Sequence, residues 1–446
     1  MTDQNQYLVA VVGAGPAGIY AARQLAEAGA KVVLLNRDIK PGGLAEYGIY
    51  YEKFKMKHGL RKQFRQILES PGISYYGNVT VSKEGNLTLE ELRAMGFQAI
   101  MVSVGAQGTK WLGLPGEEYK GVYHAKDIVY HYNKLPPFST REFAIGKRVA
   151  MVGVGNVMMD IAHWVIRDLK VDEAIAVARR GPAEVKFTKK EMEGIARNLD
   201  LEALDEEIKR AAPIMTSIGQ EPDAAREYIL SGMAKADEPV SDTRFLFDFL
   251  ASPTRILGDT QAGVCGLEVE DTTLVPKNGD TKAKGLGTRR VLDVDTVIFC
   301  IGDKVDETFG LPVQWNEFVK NPEPSYPVGG VSYEAFDPQA GQPLEGIFVA
   351  GWSREASSGL VGVARKDGEI GAKAVLQYLQ TLTPLKNIAG ELKDFEGHLA
   401  RLKKPVVRKP DLWKLDEVER AEAARLGLET FKFATNQEMF AAMGLS

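Results

Sequence analysis

Two glycine-rich turns of one design, set far apart in the chain, constrain what this sequence can fold into more tightly than anything else in it. The first reads VVGAGPAGIY at residues 11–20 and the second MVGVGNVMMD at residues 151–160. Before the first turn, the apolar run Tyr7–Val12 predicts a β-strand. After it, IYAARQLAEAG carries apolar residues at helical spacing, Gly29 closes the helix, and KVVLLN predicts a second strand. In that setting Gly13 makes the tight turn, Gly15 lets backbone N–H groups approach a pyrophosphate, and Gly18 lets helix and strand pack closely. Pro16 and Ala17 stand between them as further candidate contacts, at a helix N-terminus whose dipole favours an anion. An acidic residue normally ends the second strand and bonds the ribose; here Asn36 occupies that place. Two readings stay open for it: a weaker, uncharged ribose ligand, or a turn residue that leaves the ribose to Asp38 or to the backbone.

The second turn follows the strand GKRVA and presents Gly153, Gly155, Asn156 and Val157. Its third small residue is replaced by Met158, which is expected to push the helix outward or to turn aside. After the helix MDIAHWVIRDL, the strand AIAVA ends in Arg179-Arg180-Gly181 rather than in an acid. Two guanidiniums there suit a 2′-phosphate; two solvated surface arginines are the alternative. The second turn therefore reads as a site for a nicotinamide dinucleotide, NADP(H) favoured and NAD(H) possible.

Together the two turns predict an α/β flavoprotein with two Rossmann-type dinucleotide-binding domains, the second inserted in the first, one holding FAD and the other presenting NAD(P)H to it. The expected boundaries are 1–107 and 331–446 for the FAD domain and 108–330 for the NAD(P) domain. Glycines and prolines mark the crossings near Ala106–Lys110 and Pro327–Val331. DTVIFCIGD reads as the closing strand of the insert, and EGIFVAGW as the return. VGVARKDGEIGAKAVLQYL is a helix that points its N-terminus at the flavin, and residues 384–446 read as an appended arm with a helical end.

Composition removes several other classes. The net charge of −5 argues against nucleic-acid binding. The longest apolar runs are strand-sized, and MTDQNQ leads into the first strand without a signal core, so a cytoplasmic protein without a membrane span is expected. Cys265 and Cys300 lie far apart, so this chain alone builds neither an iron–sulfur cluster nor a redox disulfide; both read as buried core thiols. The five histidines lack ligand spacing, and no metal is expected.

The chain resembles the adrenodoxin reductase / NADPH–ferredoxin reductase family and, more distantly, the glutamate synthase small subunit. The resemblance rests on VVGAGPAGIYAA, GGLAEYGI, YYGNV, VSVGAQGTKWLGLPGE, VGVGNVMMDIA, ARRGPAEVKFTKKEM, FLFDFLASP, VAGWSREASSGLVG and PVVRKPDLWKLDEVERAEAARLG, in that order. It implies that Gly13, Gly15, Gly18, Gly43, Leu44 and Val79 line the FAD adenosine and pyrophosphate, and that Gly351, Trp352, Gly359, Leu360 and Val361 follow its ribityl chain and ring. It further implies that Gly153, Gly155, Asn156 and Val157 cradle the nicotinamide dinucleotide, with Arg179, Arg180 and Glu191 at the 2′-phosphate and ribose. Trp352 is the candidate for shaping the ring stack, and Asp160 for relaying a proton.

The implied activity is hydride transfer between NAD(P)H and flavin N5, with single electrons exchanged with an iron–sulfur, ferredoxin-like carrier. The alternatives are a flavin subunit of a larger hetero-oligomeric iron–sulfur complex reducing NAD(P)+, and a non-catalytic nucleotide-binding scaffold. Departures from the family pattern are Lys53 for a histidine, Glu46 for an arginine, Asn36 for a glutamate, and REASSG for a KRGPTG-like loop. The family's arginine-rich docking face corresponds to residues 199–242, which are mostly acidic here. Lys53, Lys55, Lys57, Arg61, Lys62 and Arg65 offer a substitute docking face or a solvated helix side, and Lys403, Lys404, Arg408 and Lys409 form a second basic cluster.

Overall fold

A computed structural model describes residues 7–277, 279–357 and 359–445; the MTDQNQ segment and Ser358 of REASSG lie outside them. The chain folds as two compact units: residues 1–109, 130–140 and 303–446 form one, and residues 110–129 and 141–302 the other.

In the first unit, strand β1 (Tyr7–Val12) leads through the glycine turn into helix α1 (Pro16–Glu27) and strand β2 (Ala30–Asn36). Helices α2 (Leu44–Tyr47) and α3 (Phe54–Leu68) and strands β3 (Ile73–Gly77) and β4 (Ala99–Val102) follow. β1 pairs in parallel with both β2 and β4, in the registers Val9↔Val32 and Val9↔Ala99. Both faces of this sheet are covered, which is why its strands are continuously apolar rather than alternating. Val9 and Val11 pack with Ile19 and Leu25 of α1, while Leu8, Ala10 and Val12 pack on the other face.

The second unit builds its own parallel sheet from β5 (Val122–His124), β6 (Arg148–Val152), β7 (Glu173–Val177), β8 (Arg244–Asp248) and, later in the chain, a strand at Thr296–Phe299. That last strand lies between β5 and β6, and β7 and β8 follow on the other side of β6. Helix α4 (Asn156–His163) leaves the second glycine turn and runs into a π-helical stretch at Trp164–Asp168. Met158 is fully buried within this unit. An antiparallel sheet of β9 (Ala251–Asp259), β10 (Gly263–Lys277) and β11 (Asp280–Leu292) completes it.

Back in the first unit, β12 (Glu334–Asp337) and β13 (Gln342–Val349) close the large sheet in the order β12-β13-β4-β1-β2-β3, with only β12 antiparallel. Helices α5 (Val361–Leu379), α6 (Ile388–Ala400), α7 (Lys409–Leu426) and α8 (Asn436–Met443) follow.

Three expectations need correction. Residues 384–446 are not an appended arm: Phe395 and Leu399 fill the core on one face of the large sheet, and Leu412, Leu415, Met439 and Met443 fill it on the other. Cys265 is exposed and only Cys300 is buried, because the alternation of β10 turns Val264 inward and Cys265 out. The Pro327–Val331 stretch is a local turn closed by Val328–Val331 backbone bonds, and the chain is already back in the first unit at Asp303, where Asp303–Lys304 pairs with Gly108–Thr109. Among the described residues no helix is long and apolar enough to cross a membrane, and no group of His, Cys, Asp or Glu could hold a metal ion.

Candidate functional site

The first glycine turn is built by close backbone approach. Gly13 has φ +102°, and a Cβ on it would lie 2.5 Å from Ser103 O. Ser103 locks this approach by donating its hydroxyl to Gly13 O at 2.9 Å and to Val12 O at 3.1 Å. A Cβ on Gly18 would stand 1.9 Å from Gly13 O, so helix and strand meet only because that side chain is absent. Gly15 differs: nothing lies within 4 Å of its Cβ position. It is the open point of the turn, where a ligand could approach the backbone.

Other segments gather around that point. Gly42 N–H donates to Ala14 O at 2.7 Å, and Gly43, which precedes α2 and Leu44, brings its Cβ position within 3.1 Å of Gly15 Cα. Gly351 has φ +65° and places its Cβ position 2.7 Å from Ala17 Cβ. Asp367 of α5 accepts from Gly351 N–H at 2.6 Å, from the Tyr333 hydroxyl at 2.9 Å and from Arg354, so one carboxylate fixes the Gly351–Ser353 turn. Ser353 accepts from Gly105 N–H at 2.9 Å. Val79 is buried and its N–H donates to Asn36 O, whereas Trp352 and Val361 are half-buried and Gly359 and Leu360 are exposed. Sequence reading misses Ser103 and Asp367, because their importance lies in backbone contacts that no local pattern records.

Of the two readings of Asn36, its bonds favour the turn residue. It is 7% exposed, accepts from Ala14 N–H at 3.1 Å, and donates to Asp38 O and Lys40 O at 2.9 and 3.0 Å. Its amide is thus engaged in holding the end of β2 to the glycine turn.

In the second unit Gly153 repeats the role of Gly13, with φ +116° and its Cβ position 2.6 Å from Cys300 O. Gly155, like Gly15, faces open space. The segment after β7 walls this turn: Lys186 N–H donates to Val154 O at 2.8 Å, and Thr188 N–H donates to Asn156 Oδ1 at 2.9 Å. Val157 is exposed, and Asp160 and Glu191 are half-buried. Arg179 is exposed and forms no ion pair among the described residues, while Arg180 reaches Asp280 at 3.4 Å and Thr281 O at 3.5 Å.

Helix starts in this fold are of two kinds, capped and open. The helices at Leu89–Ala94 and Leu201–Ser217, and α6 and α8, have their first N–H groups bonded by Thr88, Asp200, Asn387 and Thr435. α1, α4 and α5, and likewise α3, have no side-chain cap and no acid in the first turn. Their leading N–H groups remain available to an anion, which suits pyrophosphate at α1 and α4.

The basic face expected on α3 is partly consumed internally, while Lys55 and Lys62 are exposed. Lys57 is buried and donates to Asn133 Oδ1; Arg65 bonds Glu69 at 3.2 Å and lies over the Trp413 ring. Arg61 grips Glu46 through two bonds of 2.7 and 2.6 Å. Glu46 is 2% exposed and also pairs with Lys432 at 2.7 Å. Burial works to raise the Glu46 carboxyl, but Lys432, Arg61 and Lys40 outweigh it and hold it well below the usual carboxylate range. Burial brings Lys432 down to about 8 despite Glu46. The two directions are compatible, because the bidentate Arg61 keeps Glu46 charged when Lys432 loses its proton.

Comparison with known proteins agrees with this architecture. Residues 7–210 match the family described as pyridine nucleotide-disulphide oxidoreductase, a span that includes both glycine turns. NADPH-ferredoxin reductase FprA of Mycobacterium leprae (strain TN) is 27% identical, over 98% of this chain and 99% of its own length. The mitochondrial NADPH:adrenodoxin oxidoreductase of Arabidopsis thaliana is 26% identical, over 95% of this chain and 92% of its own. Among solved structures, Mycobacterium tuberculosis FprA in complex with NADPH has a TM-score of 0.79 at 25% identity, covering 98% of this chain and 99% of that one.

Proposed function

We propose, from a similarity to NADPH–ferredoxin and adrenodoxin reductases that runs nearly end to end, that this chain is an NADPH-dependent flavoprotein oxidoreductase exchanging electrons with an iron–sulfur carrier. FAD is assigned to the first unit and NADP(H) to the second. The observation that carries the reading is the pair of glycine turns, each with one glycine open to a ligand and each feeding an uncapped helix.

The residues fit such groups. At the first turn Gly13 and Gly18 set the backbone path, Gly15 leaves room for a pyrophosphate, and Gly43 and Leu44 wall it. The Gly351–Ser353 turn and the start of α5, with Leu360 and Val361, offer backbone donors and apolar surface to the rest of the flavin. At the second turn Gly153, Gly155, Asn156 and Val157 take the pyrophosphate, and Arg179 with the loosely held Arg180 takes the 2′-phosphate. Bound FAD would supply the exchange of one hydride for two single electrons. The chain's part is to orient, to exclude water and to tune charge. Trp352 and Asp160 are proposed for ring packing and proton relay.

A second reading, a flavin subunit working inside a larger iron–sulfur assembly, is favoured by one observation. Three of the cations that could steer an acidic carrier, Lys57, Arg61 and Arg65, are bonded within the unit. Reduction of the purified yellow protein with NADPH and NADH side by side tests the main reading. NADPH should be preferred by at least tenfold, and a colourless protein that stays colourless with added FAD would exclude it.

A further inference from the structure

The wall of the second glycine turn carries a charge that the proposed function leaves unused. Glu184 ends the short turn Pro182–Glu184, directly after Arg179-Arg180-Gly181. It is 6% exposed. Its Oε1 accepts from Gln220 Nε2 at 2.6 Å and from the Thr281 hydroxyl at 2.8 Å. Its Oε2 is buried without a hydrogen-bond partner and lies 3.1 Å from the Cβ position of Gly181. No cation pairs with this carboxylate among the described residues; both of its donors are neutral. Arg180, just upstream, goes instead to Asp280 and to the carbonyl of Thr281.

A carboxylate buried there, just behind the backbone that follows the two arginines, acts on an incoming 2′-phosphate through a medium that screens poorly. It opposes the phosphate and is indifferent to a bare hydroxyl. We propose that Glu184 sets the balance between NADPH and NADH, limiting the advantage that Arg179 and Arg180 give to the phosphorylated dinucleotide. The proposal rests on the assignment of NADP(H) to this unit.

The test is steady-state reduction of an artificial dye by the flavin-loaded protein, with each dinucleotide in turn. Glu184→Gln keeps an oxygen for Gln220 and Thr281 and removes the charge. The KM for NADPH should fall about tenfold, with the KM for NADH changed less than twofold. Gln220→Lys sets a cation against the same carboxylate without altering it, and should shift the KM for NADPH in the same direction. A ratio of the two KM values that is unchanged or reversed in both variants overturns the proposal, as does a parallel rise in both KM values, which marks a purely structural role. A wild-type protein that oxidises neither dinucleotide would instead sink the functional reading itself.

Discussion

At the scale of single residues, Gly15 and Gly18 allow ligand and fold to be separated. Gly18→Ala forces a Cβ against Gly13 O and Ser103 Oγ, at 1.9 and 2.4 Å. It should lower stability by at least 1–3 kcal/mol (roughly, by overpacking), read as a fall in Tm of the flavin-free protein. Gly15→Ala meets open space at φ −78°, an ordinary conformation. It should leave the flavin-free Tm nearly unchanged while weakening FAD binding at least tenfold, measured by fluorescence titration. Glu46 gives a pH-dependent case. Its folded-state pKa is depressed, so its contribution is present above about 4.5 and is lost as pH falls through the lower folded value. Glu46→Gln should therefore cost about 3–5 kcal/mol near neutrality, by stranding Arg61 and Lys432. Denaturant unfolding of variant and wild type should converge as the pH drops below that value. The backbone roles of Gly13 and Gly18 are legible in the sequence because the glycine pattern of the turn is local. The bonds of Asn36 are not, because Ala14 and Lys40 meet it only once the sheet has formed.

At the scale of elements, sequence reading succeeds where periodicity and boundary residues agree, as in α1 and α5. It fails for the tail. Segments α6 to α8 look polar and amphipathic in isolation, and nothing in their pattern says that Phe395, Leu412 and Met439 complete the core of a sheet formed hundreds of residues earlier. Removing residues 427–446 should therefore do more than trim an end. It uncovers the packing sites of Met439 and Met443 and deletes Lys432, which donates to the carbonyls of Glu46 and Asn133. Each lost buried methionine is worth about 2–5 kcal/mol, so the truncated chain should be insoluble or melt well below the full one. The strand end after β7 makes a different prediction. Replacing both Arg179 and Arg180 by alanine should raise the KM for NADPH at least tenfold and leave that for NADH within about twofold. Equal losses for both dinucleotides would assign the pair to the surface alone.

At the scale of the whole molecule, some charge that reads as displayed in the sequence is used internally, as at Lys57 and Glu46. Of the basic residues that a helix wheel gathers on one side of α3, Lys57, Arg61 and Arg65 find partners in other segments, Asn133, Glu46 and Trp413, while Lys55 and Lys62 stay exposed. With a net charge of −5, reduction of an acidic ferredoxin should speed up, not slow down, between low salt and 0.5 M salt (an ionic strength of that order screens repulsion). Stopped-flow rates across that range check it. The division into units has a practical consequence of its own. The stretch 110–302 does not all belong to one unit: residues 130–140 go with the first, where Tyr130 and Leu135 pack on Tyr47 and Ser139 donates to Ala434 O. Anyone grafting a foreign cofactor module in place of 110–302 would also pull out this stitch. A chimera that respects the seams must be spliced at four joints, leaving 130–140 behind.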